Sequence, residues 1–132
     1  MCLKRVYTKA EFEELAGVSI PRRGTITCWK VLNEDTRQPT CFSGPSYHKG
    51  IRVTRDIKHQ CSKTIWESDS NTRYPNGIHL FLNKQAALDW SLEKEDVVIP
   101  VEVSVRSILA YGVDGSQGSG CALVVKSCVP LK

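Results

Sequence analysis

The stretch Val97-Val98-Ile99-Pro100-Val101-Glu102-Val103-Ser104-Val105 decides the fold class. Val97, Ile99, Val101, Val103 and Val105 alternate with Val98, Pro100, Glu102 and Ser104. This is the two-residue period of an extended chain with one buried face and one mainly polar face. The alternation predicts a strand over 97–105 with Val101 and Val103 buried. Pro100 has no N–H to give to a ladder, which predicts an edge position or a bulge at that point.

On the C-terminal side, residues 107–111 continue extended and 112–120 form a Gly/Ser-rich loop with one carboxylate, Asp114. A last strand is expected over 121–129, stopped by Pro130. On the N-terminal side, Asn83 is a helix N-cap followed by a helix over 84–91, with Ala87 and Leu88 facing in and Trp90 near its end. The Asn76-Gly77 turn precedes a strand over 78–82. Residues 25–32 carry apolar groups on both faces, Ile26, Cys28 and Leu32 against Trp29 and Val31, which predicts an interior strand covered on both sides. Thr8-Lys9-Ala10-Glu11 is a capping box that opens a short helix with Phe12, Leu15 and Ala16 as its apolar stripe, and Gly17 suits a left-handed cap.

Residues 37–77 are the least regular part, with Pro39, Gly44, Pro45, Gly50 and Pro75 and only a short strand candidate over 50–56. Trp66 and Tyr74 are the large aromatics of 62–76. The expectation is an α+β fold in a single domain, 1–132: a central, mostly antiparallel sheet with two short helices and a long irregular insertion.

Composition agrees. The 132 residues are 41% hydrophobic and 24% charged, which excludes a disordered or low-complexity chain. No apolar run approaches the about 18 residues of a membrane helix, so no membrane partner is expected. No hydrophobic region follows the basic N-terminus, and Cys2 stands where myristoylation requires glycine. The expected location is therefore cytoplasmic, in the host cell if the chain is phage-encoded, with reduced thiols. The six cysteines include no Cys-x-x-Cys pair, and His59-x-Cys61 has no partner at zinc-finger spacing, so no metal site is expected. Cys28, Cys121 and Cys128 lie in apolar strand-like segments and read as small core hydrophobes.

The chemistry-bearing motifs of nucleotide hydrolysis, dinucleotide binding, zinc proteolysis and serine hydrolysis are missing. What remains is charge. Eighteen Lys and Arg against fourteen Asp and Glu give +4. Between His48 and Lys63 lie Lys49, Arg52, Arg55, Lys58 and Lys63 against a single acid, Asp56. Such a run is either a solvated face or an anion site for phosphate, nucleotide or nucleic acid. In the second reading Arg52 and Arg55 grip an oxyanion, Lys49 and Lys58 add longer-range attraction, His48 belongs to the same basic segment, and Tyr47, Trp66 and Tyr74 stack on a base.

The block from Tyr74 to Trp90, with Gly77-Ile78-His79-Leu80 leading into Ala87-Leu88-Asp89-Trp90, is followed by Val98-Ile99-Pro100-Val101-Glu102-Val103. It resembles a family of small phage and bacterial proteins of unknown activity. The same strand and short helix are similar to the central segment of ADP-ribosyltransferase-like folds. That second resemblance implies NAD as cofactor, with His79 in the place of that family's pocket tyrosine and Glu102 as the catalytic carboxylate. Lys30 is the only cation of 25–32, where those enzymes carry His or Arg.

Three functions follow. The first is a non-enzymatic binding protein of phage or mobile-element type that uses the basic segment to engage a nucleotide, nucleic acid or host nucleoprotein and needs no cofactor. The kind of family resembled adds action against a host defence system. The second is a divergent ADP-ribosyltransferase-like enzyme using Glu102, His79 and Lys30. The third is an interaction protein with no ligand. Convergence of Lys30, His79 and Glu102 in one cleft would favour the enzyme.

Overall fold

The computed structural model describes residues 3, 5–40, 44–54, 65–67, 73–91, 94–114 and 120–132. It is an α+β fold. The strands are β1 (Arg5–Tyr7), β2 (Thr25–Asn33), β3 (Val53–Thr54), β4 (Ile65–Glu67), β5 (Arg73–Pro75), β6 (Ile78–Phe81), β7 (Asp96–Ser104), β8 (Ile108–Val113), β9 (Cys121–Val125) and β10 (Ser127–Pro130). The helices are α1 (Lys9–Ala16) and α2 (Lys84–Trp90). Eight strands make one sheet in the order β1-β8-β9-β6-β2-β7-β10-β3, and β4 pairs with β5 separately. Each of these pairings is antiparallel.

The β7 strand covers nearly the span that its alternation predicts, with Val101 and Val103 fully buried. Its place in the sheet differs from expectation. It is an interior strand, paired with β2 along Thr25–Asn33 and with β10 at Val101 and Glu102. Pro100 is tolerated because its carbonyl, and so its missing N–H, faces the point where β10 ends. Leu131 N–H donates to that carbonyl at 3.0 Å, and no return bond is possible.

The order of strands forces the sheet to curl. A 3₁₀ turn at Val105–Ser107 joins β7 to β8, yet β9, β6 and β2 lie between them. Lys126 alone joins β9 to β10, across β6, β2 and β7. Residues 121–129, expected as one strand, therefore bend at Lys126 and serve two parts of the sheet. Lys126 N–H donates to Ser107 O at 2.9 Å, so the two corners sit against each other. Strands that turn such corners wrap a sheet around its own inner face. Cys28, Leu32, Leu80, Val101, Leu123 and Cys128, from five strands, accordingly share one core. Phe12 of α1 joins it, its ring 5.2 Å from that of Tyr111.

The outer face is covered locally. Ala86 and Ala87 of α2 pack on Val31 and Phe81, with Trp29, Trp90 and Val98 around them. Leu88, expected inside, is 45% exposed, and Ala86 takes the inward position. The helix enters through the Asn83 cap, whose side chain accepts from Ala86 N–H at 2.8 Å. The Thr8–Glu11 capping box forms in both directions, and Gly17 takes the left-handed conformation, φ 70°. The short β1 lies outside the sequence expectations, and the strand expected over 50–56 is described only at Val53–Thr54. β8 runs through Gly112 to Val113, where a loop was expected to begin.

Candidate functional site

Exposed basic groups gather beside β3, at one margin of the curled sheet. Gly50 takes φ 77° at a tight turn, and its N–H donates to Pro130 O at 2.9 Å. Ile51 N–H returns to His48 O at 3.1 Å. This turn leaves His48, Lys49, Ile51 and Arg52 exposed before the chain enters β3. Val53 and Thr54 pair with Cys128 and Ser127. Arg52 Nη1 donates to Ser127 Oγ at 3.2 Å, a neutral partner that leaves the guanidinium charge uncompensated by that bond. A guanidinium held this way keeps further donors for an oxyanion.

The segment is fixed from below by a residue that sequence reasoning passed over. Arg37 stands at φ 56°, and its guanidinium donates to the carbonyls of Tyr47 and Lys132. Tyr47 N–H donates in return to Arg37 O at 2.9 Å. In the sequence Arg37 looks like any polar turn residue. Its partners lie 10 and 95 residues along the chain, beyond the reach of a local turn pattern.

Tyr47 and Tyr74 were expected to offer rings to a base. Both are core residues, 1% and 2% exposed. Tyr47 packs in the inner core, where burial first, and then the nearby Cys128, hold its hydroxyl well above the ordinary tyrosine range. Tyr74 packs in an outer cluster with Leu3, Ala110, Ala122 and Val124. Neither can stack on a ligand without leaving its core. Arg55, Lys58 and the side chain of Trp66 lie outside the described residues.

His79 on β6 is buried and pairs with Val124 of β9. Its Nε2 lies 3.3 Å from the Tyr74 hydroxyl, and its ring also bonds the Gly77 backbone. Burial, then the charge of Lys30, pushes its pKa down to about 3, so the imidazole is neutral. Lys30 on β2 is half-buried and aligns with the inner-face residues Cys28 and Leu32, its Nζ donating to His79 O at 2.9 Å. The only β2–β6 ladder pair is Trp29 with Phe81, so the ammonium reaches a carbonyl where the two strands part.

Glu102 is exposed on β7, opposite Thr27. Trp29 pairs with both Phe81 and Pro100, which puts Val31 level with His79 on one side and with Val98 on the other. Glu102 is thus four residues along and two strands across from His79. At about 3.3 Å per residue and about 4.8 Å per strand, that is roughly 16 Å. Lys30 belongs to the opposite face of β2, so the three do not line one cleft.

The described residues hold two further features. Burial raises the Cys28 and Cys128 thiols to about 12 and about 11, although Lys30 and Arg52 pull Cys128 back down. Such thiols are protonated and unreactive at neutral pH. An open recess of about 250 Å³ lies at the far end of the β2–β7 ladder, between Asn33, Thr36, Thr40, Glu95 and Asp96. Its two carboxylates set it apart from the basic margin. Among the described residues no group of three or more His, Cys, Asp and Glu could hold a metal, and no helix is long and apolar enough to cross a membrane.

No family model, curated protein or solved structure matches the chain. The likenesses to a phage protein family and to ADP-ribosyltransferase-like folds rest on the quoted sequence block alone.

Proposed function

We propose that the protein is a non-enzymatic binding protein that engages an anionic partner through the margin formed by His48, Lys49 and Arg52. The observation that carries this reading is the pose of Arg52: exposed, anchored through a neutral hydroxyl on β10, and three residues along the chain from an exposed lysine, Lys49. A guanidinium braced on one edge presents its remaining N–H groups as a fork for carboxylate or phosphate. Burial of Tyr47 and Tyr74 takes base stacking by these rings away from the recognition. The ADP-ribosyltransferase-like alternative loses its support because Lys30, His79 and Glu102 do not converge.

The test is binding of oligonucleotides, mononucleotides and acidic peptides over a salt series, by the native protein and by Lys49→Ala/Arg52→Ala. Both side chains are exposed, so the variant folds normally. Binding should weaken steeply with salt and fall about tenfold or more in the variant. Equal affinities for the two proteins, or no binding to any anion, would remove the margin as a site.

A further inference from the structure

We infer that a second copy of this chain docks on the outer face of β7 and β10, in a two-fold dimer that sets Glu102 of each protomer against Arg52 of the other. The dimer goes beyond the anion-binding reading and does not depend on it. Three observations carry it.

The first is an uncovered sheet face. Cys28, Val53, Val101, Val103 and Cys128 share the inner core. Side chains alternate along a strand, so Thr27, Glu102, Val129, Ser127 and Thr54 belong to the outer face. Helix α2 covers that face around Val31, Phe81 and Val98, toward the Asn33–Asp96 end of the β2–β7 ladder. Beyond that cover Thr27, Glu102 and Thr54 are exposed, and Ser127 and Val129 are half-buried.

The second is a pair of opposite charges on this face. Glu102 is level with Thr27 of β2 on one side and Val129 of β10 on the other. Arg52 reaches β10 from its far flank, where Ser127 pairs with Thr54, and Nη1 donates to Ser127 Oγ at 3.2 Å. Strand β10 thus separates the carboxylate from the guanidinium, and among the described residues neither forms an ion pair.

The third is symmetry. A two-fold axis lying in the contact plane along β10 carries one flank of that strand onto the other. It sets Glu102 of one protomer over Arg52 of its partner and Arg52 over Glu102 in the same step. Val129 meets its own copy on the axis, and so does Ser127, whose hydroxyl can both donate and accept. Faces packed this way lie about 10 Å apart, a gap that a glutamate and an arginine span together. A polyanion would meet Glu102 as a like charge, whereas a second copy brings the complement of both charges. The face is narrow against the about 800 Å² per partner of a stable complex, so the dimer is weak and depends on concentration.

The experiment is sedimentation velocity over a concentration series at low salt. The samples are the native chain, Glu102→Arg, Arg52→Glu and an equimolar mixture of the two variants. The native chain should dimerise with rising concentration, and less so in added salt. Each variant alone brings like charges together, and its dissociation constant should rise about tenfold or more. The mixture should associate again, because one variant carries two positive charges on the face and the other two negative ones. A native monomer at every concentration, or association unchanged in either variant, would overturn the dimer. Association weakened in both variants and not restored by mixing would overturn the Glu102–Arg52 contact. Glu102→Arg leaves the basic margin whole, so it keeps any anion binding when its dimer is lost, and the two readings fail separately.

Discussion

The hydroxyl of Tyr74 stands between the Leu3 amide, which donates to it at 3.0 Å, and Nε2 of His79, 3.3 Å away. The hydroxyl oxygen accepts from Leu3 and meets the ring nitrogen of His79, which links three segments through one buried polar atom. A backbone hydrogen bond to Gly77 also holds the ring. One tyrosine thus ties the N-terminal segment to the outer face of β6. Tyr74→Phe keeps the ring, which meets His79 edge-on at 5.8 Å, and removes only the oxygen. Two buried polar groups then lose a partner. The expected cost is about 1–3 kcal/mol, read from urea denaturation, and an unchanged midpoint would show that this oxygen carries no stability.

Stability should fall in mild acid because of His79. Its folded pKa is lowered to about 3 from 6.5, chiefly by burial. Between those values the unfolded chain takes up a proton that the folded chain refuses. The contribution is therefore complete above pH 6.5 and lost progressively as pH falls to about 3. The limiting slope is about 1.4 kcal/mol per pH unit. Melting curves at stepwise lower pH should show this fall in the native protein and a flatter profile in His79→Phe. Parallel profiles would assign acid sensitivity to other groups.

Val103→Asp tests the register of β7. Val103 is fully buried and pairs with Ile26 across the β2 ladder. A carboxylate there enters a core with no compensating partner, and the expected loss is about 3 kcal/mol or more. A thermal melt coinciding with that of the native protein would mean that the other face of β7 is the buried one.

Gly112→Ala should detach β1. A Cβ at Gly112 would lie 2.3 Å from the Arg5 carbonyl oxygen and 2.9 Å from Leu3 Cδ1. Backbone cannot yield as a flexible side chain can, so β1 must move away from β8. Faster hydrogen exchange at Arg5 and Tyr7, with the amides of β7 unchanged, is the expected signature. Undiminished protection at Arg5 and Tyr7 would show that the two strands can separate slightly without losing their pairing.

The sequence by itself determined the local elements of this protein. Alternation placed β7 and its buried valines, the Thr8–Glu11 pair placed the start of α1, and Asn83 placed the start of α2. These features depend on contacts within a few residues, or on which side of one strand is apolar. The α+β class and the antiparallel sheet followed from them. Only the tertiary structure decided where each strand sits. Pro100 is admitted to an interior strand because β10 ends beside it, a fact about a segment some thirty residues away. The bend at Lys126 appears only when 121–130 must serve both ends of a curled sheet, since apolar residues run on both sides of it. The candidate site divides in the same way. The basic run is visible as composition, and the exposure of Lys49 and Arg52 follows from charge, because ions stay in water unless paired. Burial of Tyr47 and Tyr74, the anchor at Ser127 and the brace at Arg37 were not legible. A tyrosine suits either a core or a surface, and what chooses between them is the set of distant partners that meets its ring and its hydroxyl.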